Sequence, residues 1–255
     1  MTVRQLYKLL DEYIPSSLSA EWDNDGLMCC SDGEREVKKL LITLDVTSDV
    51  VDEAIRGEYD LIISHHPFIF KGLRAIDDRN FIAAKAMELI KNNISVFSFH
   101  TRLDAIDGGV NDTLARLLGL KNIRPLGDKE GVIGRIGSLT IAVEPEIFAE
   151  TVRDALASPA VLLSSSGRSV REVAVVGGEG ADEIKSAIAL GADTLVSGRL
   201  GYHNMVDAGE MGINLIEAGH FYTEFPVCAT LRSIVASLDS TVCADIFNSN
   251  SIKLI

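Results

Sequence analysis

The chain has 255 residues, enough for one large domain or two small ones of roughly 100–150 residues each. Apolar residues make up 47% and charged residues 24%, which excludes a disordered or fibrous chain. With 24 Lys and Arg against 37 Asp and Glu, the formal charge is −13, so a function built on long tracts of nucleic acid is not expected.

Apolar runs stay well short of the roughly 20 residues of a spanning helix, so no membrane partner is expected. Met1–Pro15 places Leu and Tyr at helical spacing among charges and lacks a signal-peptide core, which leads us to expect a cytoplasmic protein. The four cysteines agree with that setting. Cys29 and Cys30 are adjacent, Cys228 and Cys243 stand far away, and there is no CxxC. All four are expected to be reduced and structural.

Periodicity predicts alternating strands and helices. In chain order these are strand Lys39–Val46, helix Ser48–Gly57, strand Asp60–Ser64, helix Asn80–Asn92, strand Ile94–Phe99 and helix Val110–Leu118. Gly131–Val143 alternates with frequent Gly and reads as a hairpin. Helix Pro145–Ala157 and strand Ala160–Ser164 follow. The βα rhythm then returns: strand Glu172–Val176, helix Gly180–Leu190, strand Asp193–Ser197, helix Leu200–Met211, strand Ile213–Glu217, helix Glu224–Leu238 and strand Thr241–Phe247. Strands joined through helices imply parallel pairing, hence an α/β fold.

Leu40–His66 aligns without gaps to Val173–Arg199, matching Asp49 to Asp182, Asp60 to Asp193 and Ser64 to Ser197. The two copies differ where the first ends in His65–His66 and the second in Gly198–Arg199. If the copies are related, the histidines serve chemistry rather than folding.

Three segments carry the chemical signal, each directly after a predicted strand: Ser64–His65–His66–Pro67, His100–Thr101–Arg102–Leu103–Asp104, and Gly219–His220–Phe221–Tyr222–Thr223–Glu224. Four of the five histidines thus fall at strand C-terminal ends, where open α/β sheets bind ligands. Pro67 favours a turn at the histidine pair. His220 and Glu224 share a face if their helix starts early enough. Imidazoles with carboxylates suit Zn²⁺, Mn²⁺ or Fe²⁺, and this many donors exceed the needs of one tetrahedral ion, so a two-metal site is the economical reading. Asp23 and Asn24 are either turn caps beside a core-anchoring Trp22 or groups that fix an imidazole tautomer. Gly177–Gly180 reads as a tight structural turn rather than a phosphate cradle.

Together with Trp22–Asp23–Asn24–Asp25–Gly26–Leu27, these motifs stand in the order seen in the GTP cyclohydrolase I type 2 homolog family, also called NGG-interacting-factor-like or YbgI-like proteins, which this chain resembles from about residue 3 to 250. It is similar to the short form, without an inserted middle domain. The resemblance implies two α/β domains built from βαβ units with a dimetal site between them: 1–125 with about 215–255, carrying most ligands, and about 126–214. It assigns His65 and His220 to one ion, His66 and Asp104 to the other, and Glu224 to both. His100 would line the site as a proton-transfer group, and His203 would line the pocket. It further implies a homohexameric, toroidal assembly with two divalent ions per subunit.

Two departures from the family pattern are Arg102, read as an added anion-binding group in the pocket, and Asp25. The expected chemistry is hydrolysis of a small, possibly nucleotide, substrate by a metal-activated water. The alternative is a non-catalytic metal-binding or metal-delivery ring acting through protein partners.

Overall fold

The computed structural model describes residues 1–127 and 132–253. In chain order the first elements are helix α1 (Val3–Tyr13), strands β1 (Gly26–Cys29) and β2 (Lys39–Thr43), helix α2 (Ser48–Arg56), β3 (Leu61–Ser64), α3 (Phe81–Lys91), β4 (Ser95–Ser98), α4 (Thr101–Ala105) and α5 (Val110–Leu117). There follow β5 (Lys121–Pro125), β6 (Arg135–Val143), α6 (Pro145–Ala155), β7 (Leu162–Ser164), β8 (Val170–Glu179), α7 (Ile184–Ala189), β9 (Thr194–Arg199) and α8 (Tyr202–Met211). The chain closes with β10 (Asn214–Glu217), α9 (His220–Glu224), α10 (Val227–Leu238) and β11 (Cys243–Ile246). The fold is α/β. No helix among the described residues is long and apolar enough to cross a membrane.

The chain separates into two compact units, 1–103 with 228–252, and 104–227 with 253. Residues 104–125 and 215–227 thus fall in the second unit, where the sequence reading grouped them with the first.

The first unit holds a five-stranded sheet in the order β1-β4-β3-β2-β11, parallel except for β1. Leu41, Ile62 and Val96 turn one face toward Val50 and Ala54 of α2 and Leu89 of α3, forming one apolar cluster. Thr47 caps α2 and Asn80 caps α3 through side-chain oxygens that accept backbone N–H bonds. Toward α1, Tyr7 packs edge-on against Phe97 at 5.1 Å.

The second unit holds a six-stranded sheet, β5-β6-β8-β9-β10-β7. Its strands alternate with period two. Val173, Val175, Val196 and Ile216 join a cluster with Leu114 of α5 and Phe148 of α6, while Ala174, Val176, Leu195 and Leu215 join another with Ile184 of α7 and Ala208 of α8. Both faces are covered, which is why these strands read as continuous apolar runs.

Three expectations about elements need correction. Arg135–Val143 is one strand, pairing antiparallel with Lys121–Pro125 and with β8, rather than a hairpin; Gly131 lies outside the described residues. Gly177–Glu179 continues β8 instead of turning, and a 3-10 helix (Ala181–Glu183) follows. The final helix is two: Pro226 has no N–H to donate back to the preceding turn, so α9 ends before it and α10 begins after it. The four cysteines are thiols.

Candidate metal centre

In the first unit, β3 and β4 lie side by side and parallel, so the chain leaves both at the same edge. The Ser64 hydroxyl donates to the His66 carbonyl at 2.8 Å and closes a turn. That turn answers the difficulty of two adjacent histidines on one strand: their rings sit 5.0 Å apart rather than on opposite faces. His100, just past β4, brings its ring 5.3 Å from His65 and 5.7 Å from His66. One ring nitrogen from each of the three lies within 4.8 Å of the others.

The Nδ1 atoms are held by three acceptors: the Phe99 carbonyl at 2.9 Å from His65, the Asp45 carboxylate at 2.7 Å from His66, and the Asp23 carboxylate at 2.9 Å from His100. A carbonyl only accepts, so His65 carries its proton on Nδ1, and Nε2 is the nitrogen that could hold a metal ion. The carboxylates impose the same tautomer on His66 and His100. Metal-binding imidazoles are oriented in this way. The donor set therefore fits a divalent ion of the Zn²⁺, Mn²⁺ or Fe²⁺ type.

Asp23 does more than hold His100. It accepts from the Thr101 hydroxyl at 2.6 Å and from the Thr101 N–H at 3.1 Å. Burial alone would raise its pKa, but the hydrogen bonds from His100 and Thr101 outweigh this and hold the carboxyl well below the usual carboxylate range. Asn24 donates to the Ile69 carbonyl. Of the two readings of this segment, the tautomer-fixing one describes Asp23. Trp22, however, is no core anchor: it is 64% exposed.

Arg102 also departs from expectation. It is 1% exposed, with Nη1 2.5 Å from Asp11, Nε 3.1 Å from Asp25 and a bond to the Ile14 carbonyl at 2.9 Å. It is thus held by internal partners rather than offered to an anion in the pocket. Asp25 also accepts the His100 N–H at 3.1 Å. The two departures from the family pattern are partners of each other.

In the second unit, α9 carries His220 and the buried Glu224, with Nε2 and Oε2 3.0 Å apart at i,i+4 spacing. Glycines make room for them. Gly178 sits at φ +66°, and a Cβ there would overlap the Glu224 carboxylate. A Cβ on Gly198 would lie 2.7 Å from the His220 Cα and from the Thr223 hydroxyl. The Gly177–Gly180 segment is therefore the bed of a carboxylate-bearing helix. Asp104, buried in α4, is placed by its own backbone: Asn111 donates to its carbonyl at 3.1 Å, and Arg135 donates to the Ala105 and Ile106 carbonyls at 2.9 Å. His203 is exposed on α8 beside Tyr202.

The residue missed by sequence reasoning is Asp45. Its signal was available, a carboxylate directly after β2 at the edge where the histidines gather.

The chain is similar to a Clostridium perfringens protein named GTP cyclohydrolase 1 type 2 homolog, 32% identical over 249 residues and spanning 95% of this chain and 94% of the relative. A Methanocaldococcus jannaschii protein of the same name is 31% identical over 88% of this chain and 90% of its own. Among solved structures, Staphylococcus aureus protein SA1388 superposes with a TM-score of 0.90 at 27% identity, covering 100% of this chain and 99% of that one. Reduced HcgD from Methanocaldococcus jannaschii gives 0.83 at 28%, covering 96% and 97%. With the Duf34/NIF3 (NGG1p interacting factor 3) family model matching residues 1–252, the chain belongs to that family.

Proposed function

We propose that the protein binds two divalent metal ions through His65, His66, Asp104, His220 and Glu224, with Glu224 shared, and hydrolyses a small substrate. The observation that carries the reading is the adjacent pair His65 and His66 with His100 beside them, each with Nδ1 pinned by an acceptor and one ring nitrogen within 4.8 Å of the others. Family resemblance supports the five-ligand assignment. When bound, two such ions supply Lewis acidity and acidify water.

His100 takes the proton-transfer role. Asp23 fixes its Nδ1, so Nε2 is the atom that accepts and returns a proton. The resemblance also supports a homohexameric ring, and the four thiols agree with a cytoplasmic setting.

Elemental analysis of protein purified without added metal tests the first half of this reading, with two ions per chain expected. Metal-loaded protein screened against nucleotides, phosphodiesters and model esters tests the second. His100→Ala should leave metal content intact while turnover falls by roughly 10²–10⁴-fold. Full metal content without turnover on any substrate would replace the hydrolase with a metal-binding or metal-delivery protein.

A further inference from the structure

We propose that Trp22 and Phe70 form a ring-binding wall beside His100, seating a planar aromatic group of the substrate while the loop after Phe70 receives its anionic group. The inference rests on the reading of His65, His66 and His100 as belonging to the reaction centre.

The indole of Trp22 and the ring of Phe70 meet edge-on at 6.2 Å, and His100 lies 6.0 Å from the first and 6.5 Å from the second. Both aromatics face solvent, at 64% and 44% exposure. The chain beside each ring is hydrogen-bonded in place. On the Trp22 side, the Asp23 N–H donates to the Ala20 carbonyl and the Ala20 N–H to the Thr101 hydroxyl, both at 2.9 Å. Asp23 is further locked to His100 and Thr101. On the Phe70 side, Asn24 holds the Ile69 carbonyl. Two large apolar rings, left in water on loops whose flanking residues are held beside a candidate reaction centre, form a contact surface.

The chemistry of the occupant follows from what surrounds the wall. Phe70 also lines a cavity of about 800 Å³ together with Lys71, Arg74 and Arg79, a size suited to a small molecule. Arg79 is paired with Asp77 at 2.5 Å, so Lys71 and Arg74 are the cations assigned to the ligand. A purely apolar ligand has no use for that rim, and a simple anion has no use for the rings. A flat π-system bearing a phosphate or carboxylate uses both, because aromatic stacking accepts any planar ring and ammonium or guanidinium groups accept the anion.

Trp22 is the only tryptophan, so its fluorescence reports on the wall directly. Adenosine and guanosine 5′-monophosphate, the parent nucleosides and ribose 5-phosphate are titrated into metal-loaded protein. At least one nucleotide is expected to quench Trp22 saturably, its nucleoside to do so with weaker affinity, and ribose 5-phosphate to leave the emission unchanged. Phe70→Ala should raise the nucleotide dissociation constant roughly ten-fold at unchanged metal content and assembly mass. Lys71→Gln with Arg74→Gln should weaken the nucleotide but not the nucleoside.

No saturable quenching by either nucleotide in protein that retains its metal overturns the proposal, as does a Phe70→Ala variant that binds like the parent. A Phe70→Ala variant that binds normally but loses assembly mass would make the wall a contact between copies of this chain. Failure of the metal reading shows separately, as quenching retained in protein that takes up no ions.

Discussion

The β1–β4 region of the first unit and the β7–β10 region of the second are two versions of one design. In each, three parallel strands are joined through helices, and an antiparallel strand lies outside the third. Asp60 accepts the N–H groups of Lys38 and Lys39, and Asp193 accepts those of Arg171 and Glu172. Phe99 N–H donates to the Ser64 carbonyl as Ala218 N–H does to that of Ser197. At the next residue the versions diverge. Gly219 N–H continues the ladder to the Gly198 carbonyl, whereas His100 N–H turns to Asp25. What the pair shares belongs to folding. What it does not share, the imidazoles in one and the glycine bed under Glu224 in the other, belongs to the site.

The comparison can be broken at its unshared positions first. Glu224→Ala should empty both metal positions, while Asp104→Ala should weaken one, as elemental analysis would show; two ions per chain in Glu224→Ala would end the bridging assignment. Next, Arg102→Met leaves Asp25 and Asp11 without their cation. Breaking a buried pair in this way costs about 3–5 kcal/mol, read from urea unfolding. An unchanged midpoint would mean that the break in the ladder at His100 does not depend on this pair.

The shared positions predict smaller and matched effects. Asp60→Asn and Asp193→Asn should each cost about 1.5–3 kcal/mol at pH 7, with metal content unaffected. A large loss at one and none at the other would deny that they do the same work. Asp60 offers a pH signature as well. Burial pushes its carboxyl up, but the Lys38 and Lys39 amides and Arg35 hold it below its ordinary value. Its contribution is therefore complete above the ordinary carboxylate pKa of about 4 and is lost as pH falls through the lower folded value. The penalty of Asp60→Asn should shrink over that interval.

The parallel strands were legible in the sequence because burial on both faces makes them continuous apolar runs, and the helices because their apolar residues recur at helical spacing. β1 and β5 were not. The first has four residues, and the second, Lys121–Pro125, is largely exposed, so neither displays an apolar period. At the site, the histidines announced themselves by ending strands. Asp23 did not, since a carboxylate that orients an imidazole is told from a turn cap only by what it meets in space. Arg102 failed for the converse reason: a charge reads as solvent-facing until its buried partners, Asp11 and Asp25, are seen.

The chain leaves the first unit after Leu103 and returns at Cys228, and β11 is the outer neighbour of β2. On the ribosome, Lys39 must wait for Cys243, on the order of tens of seconds at about 5–20 residues per second. Every strand of the second sheet emerges in that interval. The nascent protein thus carries an open margin at β2 until β11 appears, and a message truncated before β11 yields a product with a ready template for aggregation.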